Sequence, residues 1–460
     1  MSAITTQSDA LAFLARQLNG ELALPGDPGY ALARPWNVAV AQAPRAVVLA
    51  ADAHDVAQTV RFANDHNLRV AVQRTGHGAV AIDGDDVLLV HTGRLDAVAV
   101  DAAARVARVG AGAIWQQVLD AAAPHGLAPL MGSAPGVGVA GFLSGGGIGP
   151  LTRSHGLSSD RVRALDVVTG DGRLLHVTPE EHADLFWGLR GGKGTLGIVC
   201  SVELELLPIA TVHGGALCFA ADDAAAVLRF WATWSAGLPE HANTSAAIMQ
   251  LPPLPGVPEP LTGKLTLAVR FTSTADAVEC ERLLAPLRAV ATPVLGDVGP
   301  LPYTMIGAVH ADPVDPLPGH EQSALLSSLT PEAVDALLAA AGPGSGSPQT
   351  IVELRLLGGA LARPGEHASA FCHRDAAYAL LVIGVLAPEI AALVPPHAQG
   401  VLAAMEPWST GGRMPNFSAT DDPAVLARCY DEDTRVWLGA LAERHDPAGV
   451  LRVGQVVRGA

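Results

Sequence analysis

Residues 132–149 read GSAPGVGVAGFLSGGGIG, eight glycines in eighteen positions. Residues without a Cβ reach positive φ and let main-chain N–H groups close in on a ligand, so glycine at this density builds a cradle for a phosphate or a flat ring. A flexible linker is the competing reading. Val137, Val139, Phe142, Leu143 and Ile148 speak against it, because linkers lack such apolar anchors. The stretch is therefore read as the wall of a nucleotide-type cofactor site, with the rest of the chain organised around it.

Gly136 to Gly141 (GVGVAG) also satisfies GxGxxG, and Asp160 lies about twenty residues further on, as a dinucleotide fingerprint requires. The surroundings contradict that match. The fingerprint follows a strand and opens the helix of a parallel βαβ unit, whereas here a loop carrying Pro129 and Pro135 precedes it. An antiparallel hairpin comes next, with Arg163–Thr169 and Arg173–Val177 flanking Gly170-Asp171-Gly172.

At 460 residues the chain is long enough for two hydrophobic cores. Mean hydropathy is positive, but the apolar excess is spread out, and no window offers the ~18 uninterrupted apolar residues of a spanning helix. The start, MSAITTQSDA, has no basic segment leading into an apolar one, so a cytoplasmic enzyme is expected. Five cysteines without a CxxC pair disfavour a disulfide framework or zinc knuckle, and sixteen histidines without ligand spacing give no metal site. A net charge of −16 disfavours nucleic acid or an anionic membrane as partner and leaves a small-molecule substrate. No motif encodes the oligomeric state.

Along the chain, a strand at Ala46–Leu49, a helix Ala53–Asn67 capped by Asp52, and a strand at Arg69–Gln73 read as a βαβ unit with a parallel pair. The second strand ends in Arg74-Thr75-Gly76-His77-Gly78, a polar loop at a carboxyl end where α/β folds gather ligands. Strands follow at Val87–His91, Ala97–Asp101 and Arg105–Val109, a helix at about Ala113–Ala123, and a long strand at Gly197–Leu207. Beyond Pro208 the texture changes to an Ala-rich helix (about 222–235), Pro-rich connectors, and strands near 264–272, 350–357 and 378–386. The end reads as one helix at about 423–444 and a short strand-like tail.

Three separated segments resemble the flavoproteins of the vanillyl-alcohol oxidase and p-cresol methylhydroxylase (PCMH) superfamily, in particular berberine-bridge-enzyme-like oxidases. They are Val72–Gly78 (VQRTGHG), Gly132–Gly149 with His155-Gly156-Leu157, and Asp184–Val199 (DLFWGLRGGKGTLGIV); the closing HDPAGVLRVGQ at 445–455 adds a fourth likeness. The resemblance implies an α+β fold with a two-part PCMH-type FAD-binding domain and a substrate domain with an antiparallel sheet covered by helices. The expected boundaries are 1–208 for the FAD-binding domain, 209–410 for the substrate domain, and 411–460 for a C-terminal segment completing the first. It further implies that His77 bonds covalently to the flavin. Cofactor contacts are expected from Gln73, Arg74, Thr75, Gly76, His77 and Gly78, and from Gly132, Ser133, Val137, Gly138, Gly141, Phe142, Gly145, Gly146, Gly147 and Gly149. Gly197, Ile198, Val199 and Asn416 complete the set.

Two departures from the family pattern matter. Ala134 stands where many relatives carry a second, cysteinyl tether, so His77 is expected to be the single covalent link, and Val137 at the presumed oxygen gate fits an O₂-reactive flavin. Met414-Pro415-Asn416 stands where relatives carry Tyr-x-Asn, so the usual phenolic base is missing. Replacement candidates are Glu353, which shares a strand face with Arg355 while Val352, Leu354 and Leu356 face the other way, and His373 beside Arg374. For the carboxylate–guanidinium pair a self-paired, solvated edge is the competing reading. The expected function is an FAD-dependent oxidase passing a hydride from a small, natural-product-like substrate of secondary metabolism to the flavin and then to O₂. A flavin-dependent oxygenase or oxidative cyclase is the first alternative, and a non-redox binding protein on the same fold the second.

Overall fold

The computed structural model describes residues 2–253 and 256–458. Among these residues the chain builds three principal sheets, of four, six and seven strands, with helices packed on them in an α+β arrangement. The four-stranded sheet runs Glu21–Ala23, Ala46–Leu49, Val87–His91, Arg69–Gln73. The expected βαβ unit is present, with Asp52 accepting from the Asp55 amide at the start of Ala53–Asp65. Its two strands do not pair with each other, however. Val87–His91 lies between them, parallel to both, because its five consecutive buried residues can satisfy a central position flanked on both edges.

The six-stranded sheet is antiparallel and centres on Ile198–Leu207, a ten-residue strand bordered by Val162–Val168 and Val106–Gly110. The Gly170-Asp171-Gly172 hairpin joins Val162–Val168 to Leu174–Val177 as its turn chemistry demands, with Gly172 at φ 76°.

The seven-stranded antiparallel sheet draws all its strands from residues 211–385, in the order Val298–Pro302, Thr211–Ala220, Leu265–Ser273, Ala242–Gln250, Ile351–Leu356, Tyr378–Val385, Gly319–Leu326. Side chains alternate across it with period two. Val269, Phe271, Val352, Leu354, Leu380 and their neighbours face Ala221–Ala236, Ala277–Arg288, Pro331–Ala341 and Val394–Met405, and this apolar layer is one continuous core. The opposite face carries Arg270, Glu321, Ser323, Glu353 and Arg355 and turns toward the rest of the chain.

The C-terminal part returns to the first two sheets. Tyr430 donates from its hydroxyl to the Gly191 carbonyl (3.0 Å), Val457 N–H to Thr195 Oγ1 (3.1 Å), and Val70 N–H to the Val450 carbonyl (2.8 Å). Two expectations fail here. The single helix at 423–444 is two, Pro423–Leu426 and Glu432–His445, because Asp431 accepts from the Thr434 amide and starts a new helix while Cys429 and Tyr430 dive into the core. The tail beyond residue 448 forms turns instead of a strand, its backbone held by the Asp446 carboxylate at the Val450 and Leu451 amides.

Candidate active site

A cleft of about 760 Å³ opens between the His77 loop, the head of the glycine stretch and residues 304–316, within the size range of cofactor and ligand sites. Trp36, Arg74, Thr75, His77, Ala134 and Asp312 all line it. The strand Arg69–Gln73 delivers the loop at its carboxyl end, and Gly76 makes the turn. At φ 74° it tolerates what a side chain would strain, and a Cβ would sit 2.6 Å from Pro35 Cα.

His77 is fixed on two sides. Its Nδ1 is 2.8 Å from Thr75 Oγ1, and its ring stacks on Trp36 with centroids 4.8 Å apart and planes 18° from parallel. Burial pushes its pKa down to about 4 against the weaker opposing pull of Asp312, so near neutral pH it is an uncharged, nucleophilic imidazole. Arg74 bonds the Gly112 carbonyl and receives His91 Nε2 on its own carbonyl at 3.1 Å. Gln73 faces away, its amide donating to the Ala33 carbonyl at 3.0 Å.

The glycines of 132–149 divide by purpose. Gly132, Gly145, Gly146, Gly147 and Gly149 exist for close packing: a Cβ on Gly149 would lie 1.8 Å from the Met131 carbonyl oxygen, and one on Gly147 2.4 Å from the Phe142 ring. Gly136 and Gly141 instead border open space, where a Cβ would meet nothing within 4 Å, and Gly138 caps the short helix Val139–Leu143 beside Arg74. Ser133 donates to Asp312 at 2.6 Å, tying the stretch to the central region. Val137 is half-buried against the core beneath the stretch, and Phe142 meets Trp115 edge-on at 5.5 Å. Gly197 is packed against Val167, Ile198 is buried, and Val199 is half-buried.

Asn416 joins these parts. Its amide donates to the Phe142 carbonyl (2.9 Å), its Oδ1 accepts from Lys193 Nζ (2.5 Å), and Gln455 holds the adjacent Pro415 carbonyl (2.8 Å) close to Gly78. Met414 is buried in an apolar cluster with Ile148, Leu325 and Phe371. The structure thus brings His77 and Gly136 to one cleft, while Asn416 binds the glycine stretch from another side through Phe142.

It does not bring His373 there. His373 Nε2 lies 3.0 Å from the Arg428 carbonyl and the ring packs on Gly412, while Arg374 clamps Asp160 through two bonds of 2.7 and 3.0 Å. Glu353 faces the inner side of the sheet, as the alternation predicts, but it is neither at a sheet edge nor solvated. It is 2% exposed and bonded to Arg270 (2.7 Å) and Arg355 (2.9 Å), with His310 at 3.5 Å. Burial pushes its carboxyl up, but Arg355, Arg270 and His310 together outweigh that and hold it well below the usual carboxylate range. Such an anion is a poor proton acceptor.

The sequence reading missed Glu321. It lies on Gly319–Leu326, the last strand of the seven-stranded sheet, on the same face as Ser323, Glu353 and Arg355, and is exposed to solvent. Trp36 and Asp312 were missed as well, since they reach the cleft from segments with no motif.

A family model described as an FAD binding domain matches residues 44–178. The (R)-6-hydroxynicotine oxidase of Paenarthrobacter nicotinovorans is 35% identical over 193 residues, which is 41% of this chain and 42% of that one. The family match falls on the part of the chain that holds the His77 loop and the glycine stretch, which is thus similar to an FAD-binding domain. The alignment spans less than half the length of that curated relative. Over nearly the whole chain the fold is similar to the crystal structure of 6-hydroxy-D-nicotine oxidase from Arthrobacter nicotinovorans (TM-score 0.83, 23% identity, 96% of this chain and 98% of that one). It is equally similar to the berberine-bridge-enzyme-like protein 1 of Physcomitrella patens (TM-score 0.83, 20% identity, 96% and 97%). The residues present fit an FAD cofactor on their own evidence. The cleft is large enough, Gly136 lines it with room beside its Cα, and His77 is neutral and immobilised in its wall.

Proposed function

We propose that this protein is an oxidase that takes a hydride from a small, natural-product-like organic substrate to FAD held by a single covalent link at His77, and returns the electrons to O₂ as hydrogen peroxide. The observation that carries the reading is His77 itself: an uncharged imidazole pinned by Thr75 and Trp36 in the same cleft as Ala134, which offers no second tether. FAD, when bound, supplies the hydride acceptor and the centre that reacts with O₂. The backbone amides of the Arg74–Gly78 loop and the open glycines would hold it, and Asn416 would orient it.

Proton removal from the substrate falls to Glu321 in this reading. A base works best with a pKa near the operating pH, which excludes the caged Glu353 and leaves Glu321 as the carboxylate on the same sheet face that is exposed and not caged by arginines. Glu353 and Arg270 then serve to fix Arg355, whose guanidinium lies 5.5 Å from the Phe417 ring beside Asn416.

Acid precipitation tests the link. Yellow colour staying with the polypeptide in the parent and leaving it in His77→Ala is expected; colour released to the supernatant by the parent refutes the His77 bond. Peroxide formed one-for-one with substrate, without label from ¹⁸O₂ in the product, is expected of an oxidase. Incorporated label would instead support the oxygenase.

A further inference from the structure

Among the described residues no carboxylate pairs with Lys193. It sits in the second glycine loop, Gly191-Gly192-Lys193-Gly194, with its backbone in the left-handed region at φ 56°, a conformation that glycine adopts freely and lysine resists. The loop is locked in that shape, since the Gly191 and Lys193 amides both donate to the Ser144 carbonyl at 2.9 Å. The side chain is likewise held in place. Nζ donates to Asn416 Oδ1 at 2.5 Å and to the Gly141 carbonyl at 3.3 Å, both neutral acceptors.

Gly145 makes room for this pair. A Cβ there would lie 2.1 Å from Asn416 Oδ1 and 2.6 Å from Lys193 Cε. Among the described residues no carboxylate forms an ion pair with Lys193, and burial pushes its pKa down to about 8. The half-buried ammonium has only carbonyl oxygens as partners, and of its three donors two are engaged, so the third is available to an anion. Positions on both sides are open, because a Cβ on Gly141 or on Gly194 would meet nothing within 4 Å.

Its location narrows the choice of anion. The residue after Asn416 is Phe417, whose carbonyl accepts from Ser323 Oγ (2.8 Å) and whose ring lies under Arg355. Lys193 is therefore one side chain away from the sheet face that roofs the reaction, while the Arg74–Gly78 loop offers its amides elsewhere. Hydride carries two electrons and one proton, so a neutral ring that accepts it gains one negative charge.

We propose that Lys193, positioned by Asn416 and accommodated by Gly145, supplies the positive charge that stabilises the flavin ring's negative charge after hydride transfer. The proposal rests on the FAD-linked reading above, and its test separates the two. Flavinylated parent, Lys193→Met, Lys193→Gly and Lys193→Arg are compared by dye-equilibrated midpoint potential and by the affinity of the flavin for sulfite, neither of which needs the substrate. Met and Gly variants are expected to shift the reduction equilibrium at least tenfold toward the oxidised form, about 30 mV for a two-electron couple, and to weaken sulfite binding. Arg is expected to retain most of both.

Lys193→Gly relieves the backbone strain, so it carries the measurement if Lys193→Met fails to fold. An unchanged potential in Lys193→Gly overturns the proposal. So does weaker flavin retention at unchanged potential, which would place the ammonium on the pyrophosphate. Failure of the His77 link shows separately, as colour lost on acid precipitation of the parent.

Discussion

Replacing Glu353 by Gln keeps the shape of the side chain and removes its charge, leaving Arg270 and Arg355 buried together with no anion between them. Arg270 and Glu353 expose 5% and 3% of their side chains and Arg355 15%, so solvent cannot screen the two guanidiniums. Breaking a buried ion pair in this way costs about 3–5 kcal/mol. For a sheet-and-helix unit of roughly 200 residues each kcal/mol moves the melting temperature by about 2–4 °C, so Glu353→Gln should melt ~6–20 °C lower.

The pH dependence follows from the same cage. The folded-state pKa is depressed below that of an unfolded glutamate, ~4.3. The stabilisation is therefore complete above about pH 4 and disappears as pH falls through the folded-state value. The gap between the parent and the Gln variant should be full at pH 7 and narrow progressively below about pH 4. Differential scanning fluorimetry across pH 3–8, with visible flavin absorbance as a check on the cleft, measures both. A variant that melts within about 2 °C of the parent at pH 7 while losing turnover would refute the structural role and return Glu353 to the position of base.

Other expected outcomes concern the cleft. Glu321→Gln should slow anaerobic flavin bleaching by substrate at least ~tenfold while leaving the melting temperature nearly unchanged, since Glu321 is exposed; a variant that bleaches at the parent's rate would remove Glu321 from the chemistry. Gly149→Ala drives a Cβ into the Met131 carbonyl and should give insoluble protein, whereas Gly141→Ala fills space open in the fold and should yield folded protein that retains flavin at least ~tenfold more weakly before linkage. Equal behaviour of the two alanines on gel filtration and flavin titration would contradict the division of the glycines. Trp36→Ala removes the stacking partner of His77 and should slow covalent attachment several-fold without changing the final stoichiometry, as followed by the growth of acid-stable colour.

Local chemistry made much of this structure readable beforehand. The His77 loop could be placed because a parallel strand, a glycine turn and a histidine coincide within ten residues, and the Gly170–Gly172 hairpin because its turn permits little else. The strands at 211–220, 242–250 and 319–326 were not recognised. The first is interrupted by Gly214 and Gly215, the second is rich in small residues (ANTSAAIMQ), and the third begins Gly-His-Glu-Gln. Each owes its strand state to neighbours across the sheet more than to its own propensity.

That omission hid Glu321 with its strand. The face of Glu353 was legible from alternation, but its cage was not, because Arg270 lies 83 residues away and His310 comes from a separate loop. His373-Arg374 looked like a site because titratable groups cluster there. Only the fold reveals that the Arg428 carbonyl and Asp160 already occupy them.

The return of residues 411–458 to the first two sheets also orders events in time. Asn416, Tyr430 and Val457 reach back to Phe142, Gly191 and Thr195, so the glycine stretch and the second glycine loop lack these partners until residues 411–458 have been synthesised. At about 5–20 residues per second the 250 or so residues after the long strand at Ile198–Leu207 take roughly 10–50 s to appear, during which the first sheets hold an open, glycine-lined seam. On the proposed reading, flavin attachment at His77 follows the arrival of residues 411–458, and cofactor supply in the expressing cell would govern how many chains close around FAD and how many remain colourless.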